Sequence, residues 1–303
     1  MQRRNFIKNT LLATGALSLP VARNRIFAGN VDATQPVATV FKKSIMWGTV
    51  GVDGSILDKC KMIKEAGFHG IEPNSQMDRK EVISASKATG LEITDVCCST
   101  HWGKPLSHPD ATVRKEGFDG VMLTLEDAKE YGTDAILLVP GIVNENVSYD
   151  ECWNRSSECI RKLLPAAEKM KVMICVENVW NNFLLSPMEA CSYIDQFNSP
   201  YVKFYFDTGN ILMYGWPEQW IRILGNRIGR IHIKEFSKQI ADRQGRGAGF
   251  GVPLTEGDVD WAKVMSALRR NYQNVWLTTE QGNNKSLEDL NDLSKRFDKI
   301  LSL

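Results

Sequence analysis

The sequence predicts an α/β protein with a single closed (β/α)8 barrel, a TIM barrel, over residues 44–303. Eight short runs of β-branched, aromatic or other apolar residues recur along this part of the chain, and a helix-like segment follows each run. Strands that alternate with helices at this spacing form a parallel sheet, and eight such units close into a barrel of about 250 residues. The predicted strands are residues 44–48, 70–72, 92–97, 135–139, 172–177, 202–207, 230–234 and 275–280.

The segments between these strands include helices and one unusual loop. Apolar residues at helical spacing predict helices over residues 56–66, 150–170 and 287–300, among others. The segment from Phe236 to Asp258, after the seventh strand, is rich in glycine and longer than most connections. Loops of this length in a compact domain are usually lids or substrate-binding loops. We therefore expect this loop to contribute to a site.

The N-terminal residues 1–30 have the pattern of an export signal. The basic residues Arg3, Arg4 and Lys8 flank an apolar run, and no acidic residue occurs before Asp32. The Arg-Arg-x-Phe-Ile-Lys string resembles the twin-arginine signal that bacteria use to export folded proteins. We expect residues 1–30 to be removed, residues 31–43 to be a linker and the mature protein to be periplasmic. If the signal does not function, the protein stays in the cytoplasm.

Charge and cysteine usage exclude several classes of protein. A net charge of +1 provides no field to attract nucleic acid. After the N-terminus, no apolar run is long enough to span a membrane. The seven cysteines lack the spacing of a zinc finger or of a regular disulfide framework, so we expect free thiols. The expected partner is a small molecule, and a homo-oligomer is left open.

Four potential metal ligands lie at the ends of the last four predicted strands. These residues are Glu177 in CVEN, Asp207 in FDTGN, His232 in RIHIKEF and Glu280 in TTEQG. In a closed barrel the C-terminal ends of the strands meet at one face, where active sites form. Three carboxylates and an imidazole without a thiolate favour Mn²⁺, Mg²⁺ or Co²⁺, with Zn²⁺ as a further option. The sequence therefore predicts one divalent metal ion bound by these four residues.

A cation at this face indicates a particular chemistry. It can bind a carbonyl and an adjacent hydroxyl of a sugar and stabilise the enediolate formed when the C–H bond between them loses its proton. Glu177 and Glu280 come from the fifth and eighth strands, so they can lie on opposite faces of this enediolate. Two carboxylates on opposite faces give epimerisation, whereas one carboxylate that serves two neighbouring carbons gives aldose–ketose isomerisation. The residues leave this choice open.

Several other side chains are candidates for substrate contacts. Lys234 lies on the same face of its strand as His232 and could neutralise an oxyanion or pair with a ligand carboxylate. Glu72 ends the second strand and His101 follows the third, so both could reach substrate hydroxyls. Arg246 in the long loop is the best cation for a substrate oxygen or a phosphate. Three tryptophans could stack on a sugar ring or pack at the rim: Trp47, Trp102 and Trp180.

The four ligand motifs, in this order and spacing, resemble those of the xylose-isomerase-like barrel superfamily. The nearest branch is similar to the sugar phosphate isomerase/epimerase group, and the strings GFHGIEP, PLSHPD, DAILLVPG and EGDVDW extend the resemblance over residues 44–300. The resemblance implies the same four metal ligands, with Glu177 and Glu280 as the acid/base pair. Ketose 3-epimerases usually carry a histidine three residues after the aspartate of FDTGN. That histidine contacts substrate, and this chain has Asn210 in its place, as in the phosphate-sugar epimerases, so the resemblance implies Asn210 as a substrate contact.

The predicted function is a divalent-metal-dependent isomerase or epimerase that acts on a keto-sugar or a sugar phosphate. Export favours a free sugar or a glycoside-derived substrate, because sugar phosphates are mainly intracellular. The same enediolate could instead expel a leaving group, which would make the protein a lyase or dehydratase. The non-enzymatic alternative is an exported sugar-binding protein, although a binder has no use for two flanking carboxylates.

Overall fold

A parallel sheet of nine strands forms the centre of the computed structural model, which describes residues 41–272, 275–282 and 284–303. The predicted export signal and residues 31–40 of the predicted linker lie outside these described residues. The strands are β1 (Lys42–Met46), β2 (Gly70–Glu72), β3 (Glu92–Ile93), β4 (Val96–Cys97), β5 (Ala135–Leu138), β6 (Met173–Glu177), β7 (Val202–Asp207), β8 (Ile228–Ile233) and β9 (Trp276–Thr279).

The order of the strands shows that the sheet closes into a barrel. The order is β3-β2-β1-β9-β8-β7-β6-β5-β4, so β3 and β4 lie at the two ends. These two strands are consecutive parts of one predicted strand, residues 92–97, interrupted at Thr94 and Asp95, where the Thr94 hydroxyl donates to Asp95 Oδ1 at 2.6 Å. The two ends of the sheet therefore join along the chain, and the predicted eight-unit TIM barrel is confirmed.

Helices cover the outside of the barrel. Serine caps begin several of them, for example Ser55 before α1 and Ser286 before α10, each with an aspartate three residues later that completes a capping box. Within the described part of the chain, no helix is long and apolar enough to cross a membrane. The helices are α1 (Ile56–Glu65), α2 (Arg79–Thr89), α3 (Ala111–Tyr131), α4 (Tyr149–Met170), α5 (Pro187–Asp195), α6 (Thr208–Ile211), α7 (Pro217–Leu224), α8 (Lys238–Gln244), α9 (Trp261–Asn271) and α10 (Leu287–Leu301).

The first strand begins two residues earlier than predicted, inside the predicted linker 31–43. Lys42 and Lys43 pair with Trp276 and Leu277 of β9. Lys43 is buried, and its ammonium donates to the side chains of Ser294 and Asp298 on α10. A buried lysine interrupts the apolar pattern that marks a strand, so the sequence pattern missed these two residues.

Strand alternation divides the side chains between two environments. Ile174, Val176 and Phe206 face outward into the large core under the helices, whereas Cys175 and Tyr205 belong to a smaller cluster inside the barrel. Residues two positions further along the same strands, such as Glu177, share the inward orientation. Because parallel pairing places Asp207 beside His232, the inward polar residues of neighbouring strands meet at the C-terminal end of the barrel.

The segment from Phe236 to Asp258 contains regular structure that was not predicted. It includes α8 and a 3₁₀ helix at Arg246–Gly251, and the Ser237 hydroxyl caps α8 by accepting the N–H of Ile240. The buried carboxylate of Glu235 holds this segment in place by accepting four hydrogen bonds of 2.8–3.1 Å, from the backbone N–H groups of Phe236, Thr255 and Val259 and from the indole of Trp261.

Gln281 attaches the same segment from the other side. Its carbonyl accepts the N–H of Glu235 at 2.6 Å, and its amide donates to the carbonyls of Phe250 and Val252 at 2.9 and 2.6 Å. The loop is therefore fastened to the residues that directly follow Lys234 and Glu280.

We expect Glu235→Gln to release this loop. A glutamine oxygen cannot accept four hydrogen bonds, and its amide hydrogens would oppose other donors, so the cost is about 1–3 kcal/mol. Trypsin should cleave the variant faster between Phe236 and Asp258 than the wild type, with a lower Tm. The matched control is Glu145→Gln on an exposed loop. Equal cleavage rates for wild type and Glu235→Gln would contradict the claim that Glu235 holds this loop in place.

Candidate active site

The four predicted ligands meet at the C-terminal end of the barrel. Glu177 ends β6, Asp207 ends β7, His232 lies in β8 and Glu280 follows β9. One potential ligand atom from each residue lies within 4.8 Å of the others. The first three side chains are buried, whereas that of Glu280 is 23% exposed. The cluster is thus accessible from the Glu280 side.

The imidazole of His232 is the centre of this cluster. Its Nδ1 lies 3.3 Å from Glu177 Oε1, 3.2 Å from Glu280 Oε2 and 3.8 Å from Asp207 Oδ2. Its Nε2 lies 2.8 Å from Glu72 Oε2, which also accepts the Tyr205 hydroxyl at 3.2 Å. A carboxylate on one ring nitrogen fixes the orientation of the imidazole and leaves the other nitrogen for a metal.

The position of Glu72 changes the role predicted for it. The sequence placed it among the substrate contacts because it ends a strand. In the structure its side chain is fully buried inside the barrel, against His232 and Tyr205. A carboxylate so enclosed orients the imidazole, and its predicted contact with substrate stays a prediction.

The charges of the cluster fit a divalent cation. Asp207 Oδ2 is buried and has no hydrogen-bond partner among the described residues. Burial raises the pKa of Asp207 to about 7 and that of Glu72 to about 8, as expected for buried carboxylates without enough positive charge nearby. Ligand atoms that share one ion lie at most about 4.4 Å apart. A small contraction from 4.8 Å would therefore satisfy all four residues.

Lys234 and Asn210 also contact the cluster. The ammonium of Lys234 lies 2.9 Å from Glu280 Oε2 and 4.0 Å from Asp207 Oδ2. The Asn210 backbone N–H donates to Asp207 Oδ1 at 2.6 Å, and its side-chain amide lies 3.4 Å from Glu177 Oε1. Both predicted substrate contacts therefore hold carboxylates in this structure.

The two candidate acid/base carboxylates have different environments. Burial raises the pKa of Glu177, which a hydrogen bond from His232 only partly offsets. Burial acts in the same direction on Glu280, but Lys234 and His232 outweigh it and hold the pKa of Glu280 below its ordinary value. The protein thus stabilises the ionised form of Glu280 more strongly than that of Glu177.

The remaining predicted contacts lie around the cluster. His101 is buried, and burial lowers its pKa to about 4. Its Nδ1 accepts the N–H of Val139 at 3.3 Å, so the neutral ring carries its proton on Nε2. The edge of Trp102, which is 52% exposed, packs against His101 with ring centroids 5.4 Å apart. Trp47 packs partly against the core.

An aromatic group connects the long loop to the cluster. The Trp180 ring packs against Phe236 and Phe250, and the Arg246 guanidinium lies 4.8 Å from the centroid of the Trp180 ring. Lys234 lies 4.6 Å from the centroid of the Phe250 ring. The loop therefore reaches the site through Phe250, in agreement with the expectation that it contributes to a site.

Three supporting residues were missed in the sequence: Tyr205, Glu235 and Gln281. Tyr205 precedes Asp207 by two positions, so strand alternation could have identified it as an inward residue beside the site. Glu235 and Gln281 follow site residues directly and would be assigned to the opposite face. Their partners lie on the loop and at its junctions, and no periodic signal predicts such contacts.

Known proteins share the sequence pattern and the fold of this chain. A family model for the xylose isomerase-like TIM barrel matches residues 60–298. The L-ribulose-5-phosphate 3-epimerase UlaE of Salmonella paratyphi A is 23% identical over 228 residues, which cover 71% of this chain and 78% of that protein.

Solved structures share the fold. The 3-keto-D-glucoside 4-epimerase YcjR of E. coli aligns with a TM-score of 0.74 and 18% identity, over 87% of this chain and 100% of that chain. The IOLI protein with a bound zinc atom aligns with a TM-score of 0.66 and 15% identity, over 86% of this chain and 98% of that chain. With the family model matching most of its length, the chain belongs to the xylose isomerase-like TIM barrel family.

Proposed function

We propose that this protein is a divalent-metal-dependent sugar isomerase or epimerase, which moves a proton on the carbon next to a carbonyl. The observation that carries the proposal is the convergence of Glu177, Asp207, His232 and Glu280 within 4.8 Å at the open end of the barrel. The names of relatives support it, because UlaE and YcjR are both sugar epimerases. The signal-like pattern of residues 1–30 supports a periplasmic enzyme.

The four ligands would hold the ion, which when bound polarises the sugar carbonyl and stabilises negative charge on its oxygen. Their three oxygens and one nitrogen suit Mn²⁺, Mg²⁺ or Co²⁺, and the zinc bound to the IOLI protein adds Zn²⁺. Through its 2.8 Å contact with Nε2, Glu72 keeps Nδ1 of His232 directed at the three carboxylates that would hold the ion with it.

Glu177 and Glu280 would carry the proton. They come from β6 and from the end of β9, with β7 and β8 between them, so they approach a substrate from different sides. One carboxylate removes the proton from carbon, and the electron pair of the C–H bond forms the C=C bond of the enediolate. The other, as a carboxylic acid, then donates a proton to the opposite face and gives the epimer. Lys234, 2.9 Å from Glu280, stabilises that residue in its ionised form.

Metal binding is expected to depend on Asp207. The Oδ2 of this residue has no hydrogen-bond partner among the described residues and would bind the ion directly, so Mn²⁺ should raise the Tm of the wild type. At a free metal concentration of 100 times Kd the stabilisation is about 2.7 kcal/mol. Asp207→Asn should weaken Mn²⁺ binding in calorimetry at least about tenfold, as losses of metal-supporting residues typically do. Asp119→Asn, an exposed aspartate on α3, is the control. Equal affinity of the Asp207 variant and wild type would rule out this site.

Turnover is expected to depend on Glu280. Glutamine keeps the size of the side chain but cannot exchange a proton, so Glu280→Gln should lower kcat about 10²–10⁴-fold. The measurement is epimerisation of keto-sugars by NMR at a metal concentration that saturates the variant. Saturation is checked by metal analysis, because Glu280 is also a ligand. The control is Glu130→Gln on the outer surface of α3. Wild-type kcat in the metal-loaded Glu280 variant would show that another group transfers the proton.

A further inference from the structure

An open cleft leads away from the candidate active site on its Glu280 side. It has a volume of about 920 Å³ and lies between residues 250–254 of the long loop and the first turns of α10. Glu280 and Lys234 form its inner end, and Glu288, Asp292 and Arg296 line it further out. Because Glu280 belongs to both the metal cluster and the cleft, a substrate held at the cluster can extend into the cleft.

The volume exceeds the needs of a single sugar. Pockets of about 300–1,000 Å³ accommodate ligands of drug size. A monosaccharide is smaller than such a ligand, so it fills only a small part of a cleft whose volume lies near the upper end of this range. The inner end already contains the groups that would act on the sugar carbonyl. The outer part is therefore available to a second group attached to that sugar.

The charge of the cleft disfavours a phosphate. Among the described lining residues, four carboxylates face two cations. Both cations are already paired, Lys234 with Glu280 at 2.9 Å and Arg296 with Asp292 and Glu256 at 2.6 Å each. Glu280 would be neutralised by the proposed ion, but Glu288 and Asp289 form no ion pair with either lining cation. An anion in the outer cleft would therefore meet uncompensated negative charge, whereas neutral hydroxyl groups can donate hydrogen bonds to the same carboxylates.

The N-terminus of α10 is partly occupied by the chain's own acidic side chains. In TIM barrels a phosphate often binds at a helix N-terminus near the last strands, where free backbone N–H groups attract it. Here Asp289 Oδ2 accepts the N–H groups of Lys285 and Ser286 at 2.9 and 3.0 Å, and the Ser286 hydroxyl accepts the N–H of Asp289 at 3.1 Å. The chain's own side chains occupy these three N–H groups, and Glu288 and Asp289 place two negative charges in the first turn, where they oppose the binding of an anion.

We infer that the cleft binds an uncharged sugar unit linked to the reacting sugar, so that the substrate is a keto-glycoside. This inference rests on the proposed function and specifies its substrate class. The Phe250 ring supplies an apolar face in the cleft, and the carboxylates of Glu288 and Asp292 supply acceptors for hydroxyl groups. Arg246 is the alternative partner for a phosphate, but it lies against Trp180 and is not among the residues that line the cleft.

The test compares one keto-hexose in three forms: free, as its phosphate ester and as its glucoside. Epimerisation by the metal-loaded protein is followed by NMR. We expect kcat/KM for the glucoside to exceed that for the phosphate at least about tenfold, which corresponds to about 1.4 kcal/mol. Glu288→Lys should lower the ratio of glucoside to phosphate kcat/KM, mainly through KM. Glu81→Lys makes the same charge change in the first turn of α2, outside the cleft, and should leave the ratio unchanged.

The outcomes separate the two proposals. Turnover with a preference for the phosphate, or a ratio that Glu288→Lys leaves unchanged, would overturn the inference while the proposed function stands. Absence of turnover with all three forms in a protein that binds metal would overturn the proposed function, and the inference with it. Release of the glucosyl group in place of epimerisation would confirm the cleft and assign the chemistry to a lyase.

Discussion

The concentration of buried negative charge around His232 is the constraint on which the rest of this structure depends. Glu72, Glu177, Asp207 and Glu280 surround one imidazole inside the barrel, and Lys234 is the ammonium that contacts two of them. Burying charge without a partner costs several kcal/mol per ion. A divalent cation would neutralise such an arrangement, so the same carboxylates that oppose folding would form the binding site of the proposed ion.

The residues around the cluster fix its geometry. Glu72 and Tyr205 orient the imidazole from inside the barrel, and Asn210 holds Asp207 from the neighbouring helix. Glu235 and Gln281 fasten the long loop to the strand ends and so place Phe250 beside Lys234. The cleft then opens between this fastened loop and α10. Site, loop and cleft are thus parts of one connected arrangement that begins at the ends of β8 and β9.

Much of this arrangement could be predicted from the sequence, because it depends on strand periodicity. Apolar runs that end in a polar residue located the four ligands, and barrel closure brought their strand ends together. The contact between Glu72 and His232 could not be predicted, because it joins residues 160 positions apart across the barrel interior. Lys43 was missed because a buried lysine breaks the apolar pattern. In the structure Asp298 compensates its charge and the Ser294 hydroxyl accepts a hydrogen bond from it. The role of Glu235 depends on the path of an irregular loop, and no periodic sequence pattern predicts that path.

The central claim is that the carboxylates of this cluster move a proton on carbon with the help of a bound ion. Solvent deuterium incorporation tests it most directly. The purified protein would be incubated in D₂O with free ketoses, ketose phosphates and keto-glycosides. One set of samples would contain Mn²⁺ or Mg²⁺, a second set would be treated with a chelator, and the sugars would be examined by NMR. The account predicts deuterium on the carbon beside the carbonyl only in samples with metal. Exchange at the same rate after chelation, or no exchange with any sugar despite measured metal binding, would contradict it.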